Sequence, residues 1–340
     1  MPAVRDGLTL SVMLCNYNHG RYLHRSVGAI LGQSRPPDEF VIVDDGSTDD
    51  SVAILEEYAR TNPSVRLIRH PRNRGLVAAM ETGLADVRSE YVYMAASDDY
   101  VKPGFFESAM AMAARHPEAG IVFGRLLLGW AGGFEEPGPD FPEWREPTFA
   151  SPARYLEEYL RRAPAIHSLT SATLYRRSCL EEVGGTHEEL GFWADAFTSR
   201  AIALKHGACF IPQACAVFVF SPAGYCGSQV SDLERGLRPL KAAGALMRSP
   251  AFADRFPASY VSQWKRGARE EFIDFHCWVK YGLSAYESRH RRRLRFGKDR
   301  AAGRLMALTL TLPQMVVARA ARWTARRRLL SSIPPFLDAP

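Results

Sequence analysis

The sequence lacks the features that would mark a secreted, membrane-spanning or disulfide-bonded protein. No run of about 18 apolar residues occurs, so no membrane-spanning helix is predicted. Residues 1–9 lack the basic and then apolar pattern of a signal peptide, and we therefore expect a reducing, cytoplasmic location. The six cysteines form no C-x-x-C pair, and apolar residues surround most of them, which indicates buried thiols and disfavours thiolate metal sites.

Internal repeats of 20 to 50 residues and low-complexity tracts are absent too, apart from clusters of arginine. The 46% of hydrophobic and 24% of charged residues are values of folded globular proteins, which excludes a disordered chain. A chain of 340 residues can form one large domain with an appendage or two modest domains.

The net charge of +6 is concentrated near the C-terminus. Residues 285–328 contain 13 lysines and arginines against two acids, an excess of 11 positive charges, so the rest of the chain is net negative. Arginine-rich segments at 289–295 and 319–328 flank an apolar stretch at 305–317 that Pro313 interrupts. Three interpretations stay open: peripheral contact with anionic lipid headgroups, a charged face covering the rest of the protein, or a dimer contact. No recognised nucleic-acid-binding module accompanies the arginines, and we expect no nucleic-acid partner.

Apolar periodicity predicts alternating strands and helices in the first 105 residues. Strand-type runs lie at 8–14, 40–43, 65–69 and 91–95, and residues at helical spacing lie between them at 22–32, 52–60 and 76–86. Asp50 or Ser51 can cap the second helix. Such alternation is typical of βαβ units and predicts a mostly parallel sheet with right-handed connections.

Farther along, the periodicity is less regular. A Gly-, Pro- and Glu-rich segment at 129–147 predicts a long excursion. Helices are then predicted at 152–162, 177–183 and 192–206, with a strand at 167–175 and an apolar stretch at 208–220. After about residue 228 the pattern is helical to the end.

Polar clusters follow the first, second and fourth predicted strands, at residues 15–20, 44–47 and 97–99. Ligands bind outside the carboxyl ends of strands in such sheets, so these clusters should meet at one edge. The pair Asp98-Asp99 suits Mg²⁺ or Mn²⁺, which take oxygen ligands and bridge phosphate oxygens. A solvated turn with an Asx cap explains the pair as well. The second pair, Asp44-Asp45, at the same predicted edge favours the functional interpretation.

These segments resemble glycosyltransferase family 2 in order and spacing. The resemblance covers residues 8–105, continues more weakly to about 215, and is carried by four segments: Leu-Ser-Val-Met-Leu-Cys-Asn-Tyr-Asn at 10–18, Val-Ile-Val-Asp-Asp-Gly-Ser-Thr-Asp at 41–49, Asn-Arg-Gly at 73–75 and Ala-Ser-Asp-Asp-Tyr at 96–100. It implies a GT-A fold, a Rossmann-like, mostly parallel sheet flanked by helices. It also implies metal-dependent sugar transfer, usually with inversion. The expected donor is a nucleoside-diphosphate sugar of UDP or TDP.

The resemblance implies a role for each residue of the motifs. Tyr17 would stack on the nucleobase, Asp45 with Asp44 beside it would bind the base, Asp98 would contact the ribose, and Asp99 would ligate Mn²⁺ or Mg²⁺. Cys15 and Gly75, inside the same segments, are included among the nucleotide-binding residues. Stacking by Tyr17 also has an independent rationale, because every nucleobase offers a π-face, although a core tyrosine at a strand end is the alternative.

An inverting transfer also needs a general base near the acceptor. The family places an acid after a Gly-Gly turn and ahead of a helix, which here designates Asp195 after Gly184-Gly185. A capping aspartate at a helix start is the alternative, with Glu188 and Glu189 as further candidates for the base. His167, shortly before a predicted strand end, could line the acceptor side.

Three positions depart from the family pattern: Ala96, Glu81 and Ala194. They leave open a non-catalytic module that binds a nucleotide sugar or a glycan. A nucleotidyltransferase is disfavoured, since residues 15–21 hold one glycine and one arginine where that class needs a glycine- and arginine-rich phosphate loop.

The expected organisation is a catalytic domain at 1–228, with a donor half at 1–105 and an acceptor half at 106–228. A helical, basic region follows at 229–340. The expected acceptor is a glycan, a lipid-linked molecule or a small molecule, and the expected process is polysaccharide biosynthesis.

Overall fold

The structure is a computed structural model that describes residues 7–129, 135–137, 144–163, 170–221 and 224–281. His167, most of the 129–147 excursion and the arginine-rich segments after residue 281 lie outside the described residues. None of the helices in the described ranges is both long and apolar enough to cross a bilayer.

Strands in the described ranges belong to one sheet. They are β1 (Leu10–Asn16), β2 (Glu39–Asp44), β3 (Val65–Arg69), β4 (Tyr91–Ala96), β5 (Tyr100–Val101), β6 (Ile121–Gly129), β7 (Glu135–Pro137), β8 (Thr148–Ala150), β9 (Thr173–Arg176) and β10 (Ala208–Val219). Their order is β3-β2-β1-β4-β9-β6-β10-β5, with β7 beside β6 and β8 beside β10.

Helices separate most of the strands along the chain. They are α1 (Gly20–Leu31), α2 (Ser51–Thr61), α3 (Leu76–Asp86), α4 (Phe105–Arg115), α5 (Pro152–Arg154), α6 (Arg177–Glu182), α7 (Ala194–His206), α8 (Tyr225–Val230), α9 (Leu233–Leu246) and α10 (Ala258–Tyr281). The α5 turn continues as a π-helical segment, Tyr155–Leu160, and 3-10 turns occupy Thr170–Ala172 and Glu188–Trp193.

The sheet is mostly parallel, which confirms the prediction from the βαβ pattern. β1 pairs in parallel with β2 and β4, β2 with β3, and β6 with β10. β9 is the exception inside the sheet, because it runs antiparallel to both β4 and β6. The short strands β5, β7 and β8 also pair antiparallel.

Both faces of the sheet are buried. Successive strand residues point to opposite sides of the sheet, so each face packs into a core of its own. Val12 and Leu14 pack with helices α1, α2 and α4 on one face, whereas Met13 packs with α3 and α7 on the other. Helices α9 and α10 add Leu240 and Trp264 to the second of these cores. The segment beginning at residue 229 therefore shares a hydrophobic core with the sheet.

The start of α2 differs in detail from its predicted cap. Asp50 occupies the N-cap position, but its side chain makes no capping hydrogen bond. Asp49 accepts a hydrogen bond from the Ser51 amide instead (3.0 Å) and also accepts one from the Gly20 amide (3.0 Å). One carboxylate therefore ties the first turns of α1 and α2 together.

Candidate active site

The polar segments after β1, β2 and β4 meet at one edge of the sheet, as predicted. Asn16 lies beside Asp44 in the strand register, and Cys15 lies beside Ala96. The segments that follow these residues therefore emerge together at the carboxyl ends of three adjacent parallel strands, where α/β sheets bind ligands.

Asp44 holds the turn after β2. Its carboxylate accepts hydrogen bonds from the Ser47 amide (2.9 Å), the Ser47 hydroxyl (2.6 Å) and the Asn16 side-chain amide (2.9 Å). Gly46 is left-handed (φ 73°), and a Cβ there would lie 2.5 Å from the Arg72 carbonyl carbon. Both oxygens of Asp44 are thus used inside the fold.

Asp45 organises the segment before α3. Its carboxylate accepts hydrogen bonds from His70 Nδ1 (2.6 Å), the Arg74 amide (2.9 Å) and the Gly75 amide (2.8 Å). Gly75 is left-handed (φ 93°) and precedes the first residue of α3. The structure therefore joins two predicted site residues, Asp45 and Gly75, by a direct hydrogen bond.

Tyr17 is not a core residue, because its side chain is 43% exposed. Asn18, which follows it, is left-handed (φ 53°), and its side-chain oxygen accepts a hydrogen bond from the Thr48 amide (2.7 Å). Cys15 is half-buried, and burial and the neighbouring Asp45 raise the pKa of its thiol to about 12, so it stays neutral. The exposed Tyr17 ring therefore belongs to a segment that is hydrogen-bonded to the Ser47-Thr48 turn through Asn18.

Asp98 and Asp99 lie in different surroundings. Asp99 is buried, accepts a hydrogen bond from the Val219 amide (2.8 Å) and accepts another from the Ser171 hydroxyl. Burial and the adjacent charge of Asp98 raise the pKa of Asp99 to about 8, although the two hydrogen bonds act in the opposite direction. Asp98 is half-buried. A turn with an Asx cap does not describe Asp99, because its side chain bonds to distant parts of the chain.

Helix α1 holds the loop that carries these two carboxylates. His19 Nδ1 lies 2.7 Å from the Ser97 hydroxyl, and the Arg25 guanidinium donates to the Asp98 carbonyl (3.1 Å). The same guanidinium lies 4.4 Å from the centre of the Tyr100 ring. The loop is therefore attached to α1 from one side and to Ser171 and Val219 from the other.

Asp195 is the second residue of α7, and Trp193 occupies the N-cap position. Its carboxylate accepts hydrogen bonds from the Ala196 amide (2.6 Å) and from the Thr170 hydroxyl. Glu188 and Glu189 are exposed in the preceding 3-10 turn, where Glu189 lies 3.6 Å from His187 Nδ1. Among these three acids, Asp195 alone is held by donors on two different segments.

The three site carboxylates all act on the pKa of one thiol. Burial and the charges of Asp195, Asp99 and Asp98, in that order, raise the pKa of Cys226 to about 12. All three acids therefore act on the first turn of α8. No cluster of three or more His, Cys, Asp or Glu residues with metal-binding geometry occurs among the residues that the structure describes.

The departures from the family pattern lie at the border of this site. Ala96 is exposed at the last position of β4, and Glu81 is on the exposed side of α3. Ala194 precedes Asp195 directly, at the first position of α7. None of these three residues takes part in the hydrogen bonds described above.

Several residues of the site belong to no sequence motif. Thr170, Ser171 and Val219 bind the carboxylates, yet no spacing in the sequence designates them. His70 could have been found, since it follows the third strand directly, as Asp45 follows the second.

Comparisons with known proteins agree with this architecture. The model of the family described as glycosyl transferase family 2 matches residues 11–184, just over half of the chain. EpsH of Bacillus subtilis is 26% identical over 174 residues, which are 51% of this chain and 48% of EpsH. The glycosyltransferase GlyG of Streptococcus pneumoniae is 32% identical over 115 residues, which are 34% of this chain and 38% of GlyG. The matched part thus spans about half the length of these curated relatives or less.

Solved structures share the fold across more of the chain. TarS 1-349 of S. aureus in complex with UDP-GlcNAc superimposes with a TM-score of 0.58 at 18% identity, covering 79% of this chain and 81% of TarS 1-349. The mannosyltransferase PcManGT of Pyrobaculum calidifontis, in complex with GDP-Man and Mn²⁺, gives a TM-score of 0.56 at 20% identity, covering 96% of this chain and 87% of PcManGT.

The fold is therefore the GT-A fold of glycosyltransferases. Within that class, the chain belongs to glycosyltransferase family 2.

Proposed function

We propose that this chain transfers a sugar from a nucleoside diphosphate, UDP or TDP, to a hydroxyl group of a glycan, a lipid-linked acceptor or a small molecule, with inversion. The observation that carries the proposal is that two consecutive hydroxyl groups of one turn bind two of the site carboxylates, Ser171 binding Asp99 and Thr170 binding Asp195. The carboxylate pair after β4 and a third carboxylate from α7 are thereby held close to each other. Two fold neighbours that were solved with nucleotide sugars, UDP-GlcNAc and GDP-Man, support this class of donor.

In the donor part of the site, the exposed Tyr17 ring would stack on the nucleobase, whose N–H group would donate to the Asp45 carboxylate. Asp44 would act on the donor indirectly, by holding the Gly46-Ser47 turn, and Gly75 would keep the backbone open beside Asp45. Cys15 would line the same pocket as a neutral thiol, and Asp98 would accept a hydrogen bond from the ribose.

Asp98 and Asp99 fit a divalent cation. The two carboxylates are adjacent, Asp99 is buried, and the two groups that donate to it, the Ser171 hydroxyl and the Val219 amide, are uncharged. Such negative charge is costly to bury without a cation, and Mn²⁺ or Mg²⁺ prefers oxygen ligands. Asp99 would hold the cation, which would neutralise the leaving diphosphate as a Lewis acid.

In the acceptor part of the site, Asp195 would accept the proton of the attacking hydroxyl. The hydroxyl oxygen would then attack the anomeric carbon from the face opposite the diphosphate, and the bond from that carbon to the diphosphate oxygen would break. Configuration would be inverted because bond formation and departure occur on opposite faces. The Thr170 hydroxyl donates to Asp195 and fixes the carboxylate for this role.

The test combines donor turnover with nucleotide binding. The protein with Mn²⁺ and a panel of UDP- and TDP-sugars should release diphosphate nucleotide slowly, as followed by NMR, and the anomeric configuration of the transferred sugar should be inverted. Asp99→Asn should lose metal-dependent binding of the nucleotide, whereas Asp195→Asn should bind it and lose turnover. Asp254→Asn, an exposed acid outside the site, is the matched control. Equal nucleotide affinity of Asp99→Asn and wild type would contradict the proposal.

The alternative is a non-catalytic module that binds a nucleotide sugar or a glycan, which the substitutions at Ala96, Glu81 and Ala194 keep open. It predicts metal-dependent nucleotide binding by wild type and Asp195→Asn, with turnover by neither.

We further propose a cytoplasmic protein of polysaccharide biosynthesis that touches the membrane periphery through arginine-rich segments 289–295 and 319–328. Each cation near an anionic surface contributes about 1 kcal/mol. Cosedimentation with vesicles containing anionic phospholipid should therefore weaken with salt, and equal binding to neutral vesicles would contradict this proposal.

A further inference from the structure

Two aromatic side chains of the described residues are unusually exposed for their size. The exposed large hydrophobic side chains in the described ranges are Tyr17 (43%), Tyr225 (44%) and Leu76 (42%). A single exposed apolar side chain is ordinary on a protein surface, so exposure alone assigns no role. Tyr17 already belongs to the proposed donor pocket. The position of Tyr225 is therefore what matters.

Tyr225 lies near both Asp98 and the turn that precedes Asp195. It is the first residue of α8, and both of its neighbours in the chain lie near the site carboxylates. A Cβ at Gly224 would lie 4.0 Å from the Asp98 carboxylate. The charges of all three site carboxylates raise the pKa of the Cys226 thiol. The first turn of α8 thus borders the space where acceptor and donor would meet.

The ring of Tyr225 reaches toward the acceptor side of that space. Its hydroxyl lies 3.9 Å from the position a Cβ would take at Gly191, in the turn that leads to Asp195. Burial raises the pKa of the Tyr225 hydroxyl, Arg235 lowers it, and Asp195 raises it further. The ring is therefore near the turn that leads to Asp195, the proposed base, as the position of its hydroxyl beside Gly191 shows.

Gly191 lies close to the hydroxyl end of this ring. It has a left-handed φ of 51°, which a side chain rarely adopts. A Cβ there would also lie 3.3 Å from the Pro239 side chain. The turn before Asp195 therefore passes close to Tyr225.

Other residues hold α8 in place. Gln229 and Val230 are buried, and His276 Nδ1 of α10 donates to the Val230 carbonyl (2.7 Å). The exposed half of the Tyr225 ring is thus presented by a short helix that is anchored through its opposite end. Rigid support of this kind is what a binding platform requires.

We infer that Tyr225 is the stacking platform for a pyranose ring of the acceptor, placing that ring so that a hydroxyl points at Asp195. An aromatic face pairs with the apolar C–H face of a pyranose, and carboxylates around it accept hydrogen bonds from the hydroxyls. The acceptor class is therefore a glycan, and an acyclic polyol or a plain lipid alcohol lacks the flat face. This inference rests on the proposed function and specifies its acceptor.

The experiment uses saturation-transfer NMR on the full chain with UDP and Mn²⁺ present. The probes are methyl glycopyranosides of glucose, galactose, mannose and N-acetylglucosamine, with ribitol as the acyclic probe. At least one pyranoside should bind, and ribitol should not. Tyr225→Ala should weaken the affinity for that pyranoside about tenfold or more, whereas Tyr225→Phe and Tyr225→Trp should retain it.

Matched variants separate this inference from other outcomes. Leu76→Ala removes an equally exposed apolar side chain and should leave the pyranoside affinity unchanged. Tyr17→Ala should weaken UDP binding and retain the pyranoside. Equal pyranoside affinity of Tyr225→Ala and wild type overturns the inference, as does equal binding of ribitol, or the lack of pyranoside binding by wild type. If donor turnover persists in wild type in those cases, the proposed function survives. If metal-dependent UDP binding and turnover are both absent, the proposed function itself has failed.

Discussion

Neighbouring hydroxyl groups hold the two most important carboxylates of the candidate site. Thr170 donates to Asp195, and Ser171 donates to Asp99. The turn that carries both residues is itself fixed, because the Tyr93 hydroxyl donates to the Ser171 carbonyl (2.8 Å). One 3-10 turn therefore sets the distance between the proposed base and the proposed metal ligand.

Replacing Thr170 tests this arrangement at one carboxylate. Thr170→Val keeps the shape of the side chain and removes the donor to Asp195, and a hydrogen bond to a charged group contributes about 1.5–3 kcal/mol. Only part of that energy orients the base, so we expect turnover to fall about tenfold. Nucleotide affinity, measured by titration calorimetry, should stay within about twofold of wild type.

Thr61→Val is the control for Thr170→Val, since the Thr61 hydroxyl bonds only within and at the end of α2. It should leave both turnover and nucleotide affinity unchanged. An equal loss of turnover in the two variants would show that the hydrogen bond to Asp195 has no specific role.

The sequence predicts the acids of the site better than the groups that hold them. Asp44 and Asp45 lie at the end of β2, Asp98 and Asp99 lie just after β4, and the ends of parallel strands meet in space by the geometry of the fold. Thr170 and Ser171 lie just before the antiparallel strand β9. The place of β9 in the sheet, and so the position of these two residues, depends on long-range pairing. Long-range pairing produces no local periodicity in the sequence, so residues that it brings to the site cannot be identified from the sequence.

At the scale of secondary-structure elements, α1 holds the loop after β4 in place. Arg25 binds the Asp98 carbonyl and stacks on Tyr100, whereas Arg21, one turn earlier, lies over Tyr22 of the same helix. Stacking of this type contributes about 0.5–1 kcal/mol, and the charged hydrogen bond adds more. Two arginines of one helix thus differ in whether they touch the loop.

Arg25→Met should therefore loosen the loop and weaken metal-dependent UDP binding about fivefold, with a smaller effect on the melting temperature. Arg21→Met removes an equally exposed charge from the same helix and should change the affinity less than twofold. Titration of both variants with UDP and Mn²⁺ measures the difference. If both lose affinity equally, charge near the site accounts for the effect and the contact with the loop does not.

Close packing of α9 on α10 gives a second prediction at this scale. A Cβ at Gly236 would lie 2.0 Å from Cζ of Phe272, whose side chain is fully buried. Alanine gains about 1 kcal/mol of helix propensity over glycine, but overpacking a core costs about 1–3 kcal/mol. Since the Phe272 ring is fully buried and the new Cβ would also lie 3.1 Å from the Gln229 carbonyl oxygen, Gly236→Ala should be destabilising overall.

Gly28 of α1 offers the opposite case, because it is exposed and a Cβ there would meet nothing within 4 Å. Gly28→Ala should stabilise the protein by about 0.5–1 kcal/mol. Denaturant unfolding of both variants measures the two signs, and stabilisation by Gly236→Ala would contradict the close contact between the two helices.

The helices and strands of the first 105 residues could be predicted because each carries its own periodicity. The predicted ranges 65–69 and 76–86 coincide with β3 and α3. Local patterns fix no strand direction, so β9 inside a mostly parallel sheet could not be predicted from them. The predicted helix at 152–162 becomes partly π-helical, which propensity does not reveal.

At the scale of the whole molecule, the C-terminal helices and the sheet share one core. Trp193, next to α7, and Trp264 of α10 pack edge to face, with ring centres 5.7 Å apart. An ionic cluster at the surface connects α6 and α7 with the segment before α10. Glu182 of α6 binds Lys205 (2.6 Å) and His206 (2.8 Å) of α7 and Arg255 (2.5 Å) before α10.

This cluster makes stability depend on pH in a predictable direction. Burial alone would raise the pKa of Glu182, but hydrogen bonds from Lys205 and His206 and the charge of Arg255 lower it from 4.5 to about 2. A carboxylate whose pKa is lowered in the folded state stabilises the fold above its unfolded pKa. That contribution is lost as the pH falls from about 4.5 toward 2.

Glu182→Gln should therefore be less stable than wild type at pH 7 and approach wild type as the pH falls below about 4.5. Because the carboxylate is about one-third exposed, solvent screening reduces the difference at pH 7 to on the order of 1–2 kcal/mol. Urea unfolding of both proteins at pH 7, 5, 4 and 3.5 measures the difference at each pH. The exposed pair Arg60–Glu57 provides the control, since Glu57→Gln removes an ion pair that solvent screens. A Glu182→Gln difference that stays constant from pH 7 to 3.5 would mean that the ionic cluster does not join α6, α7 and the C-terminal helices energetically.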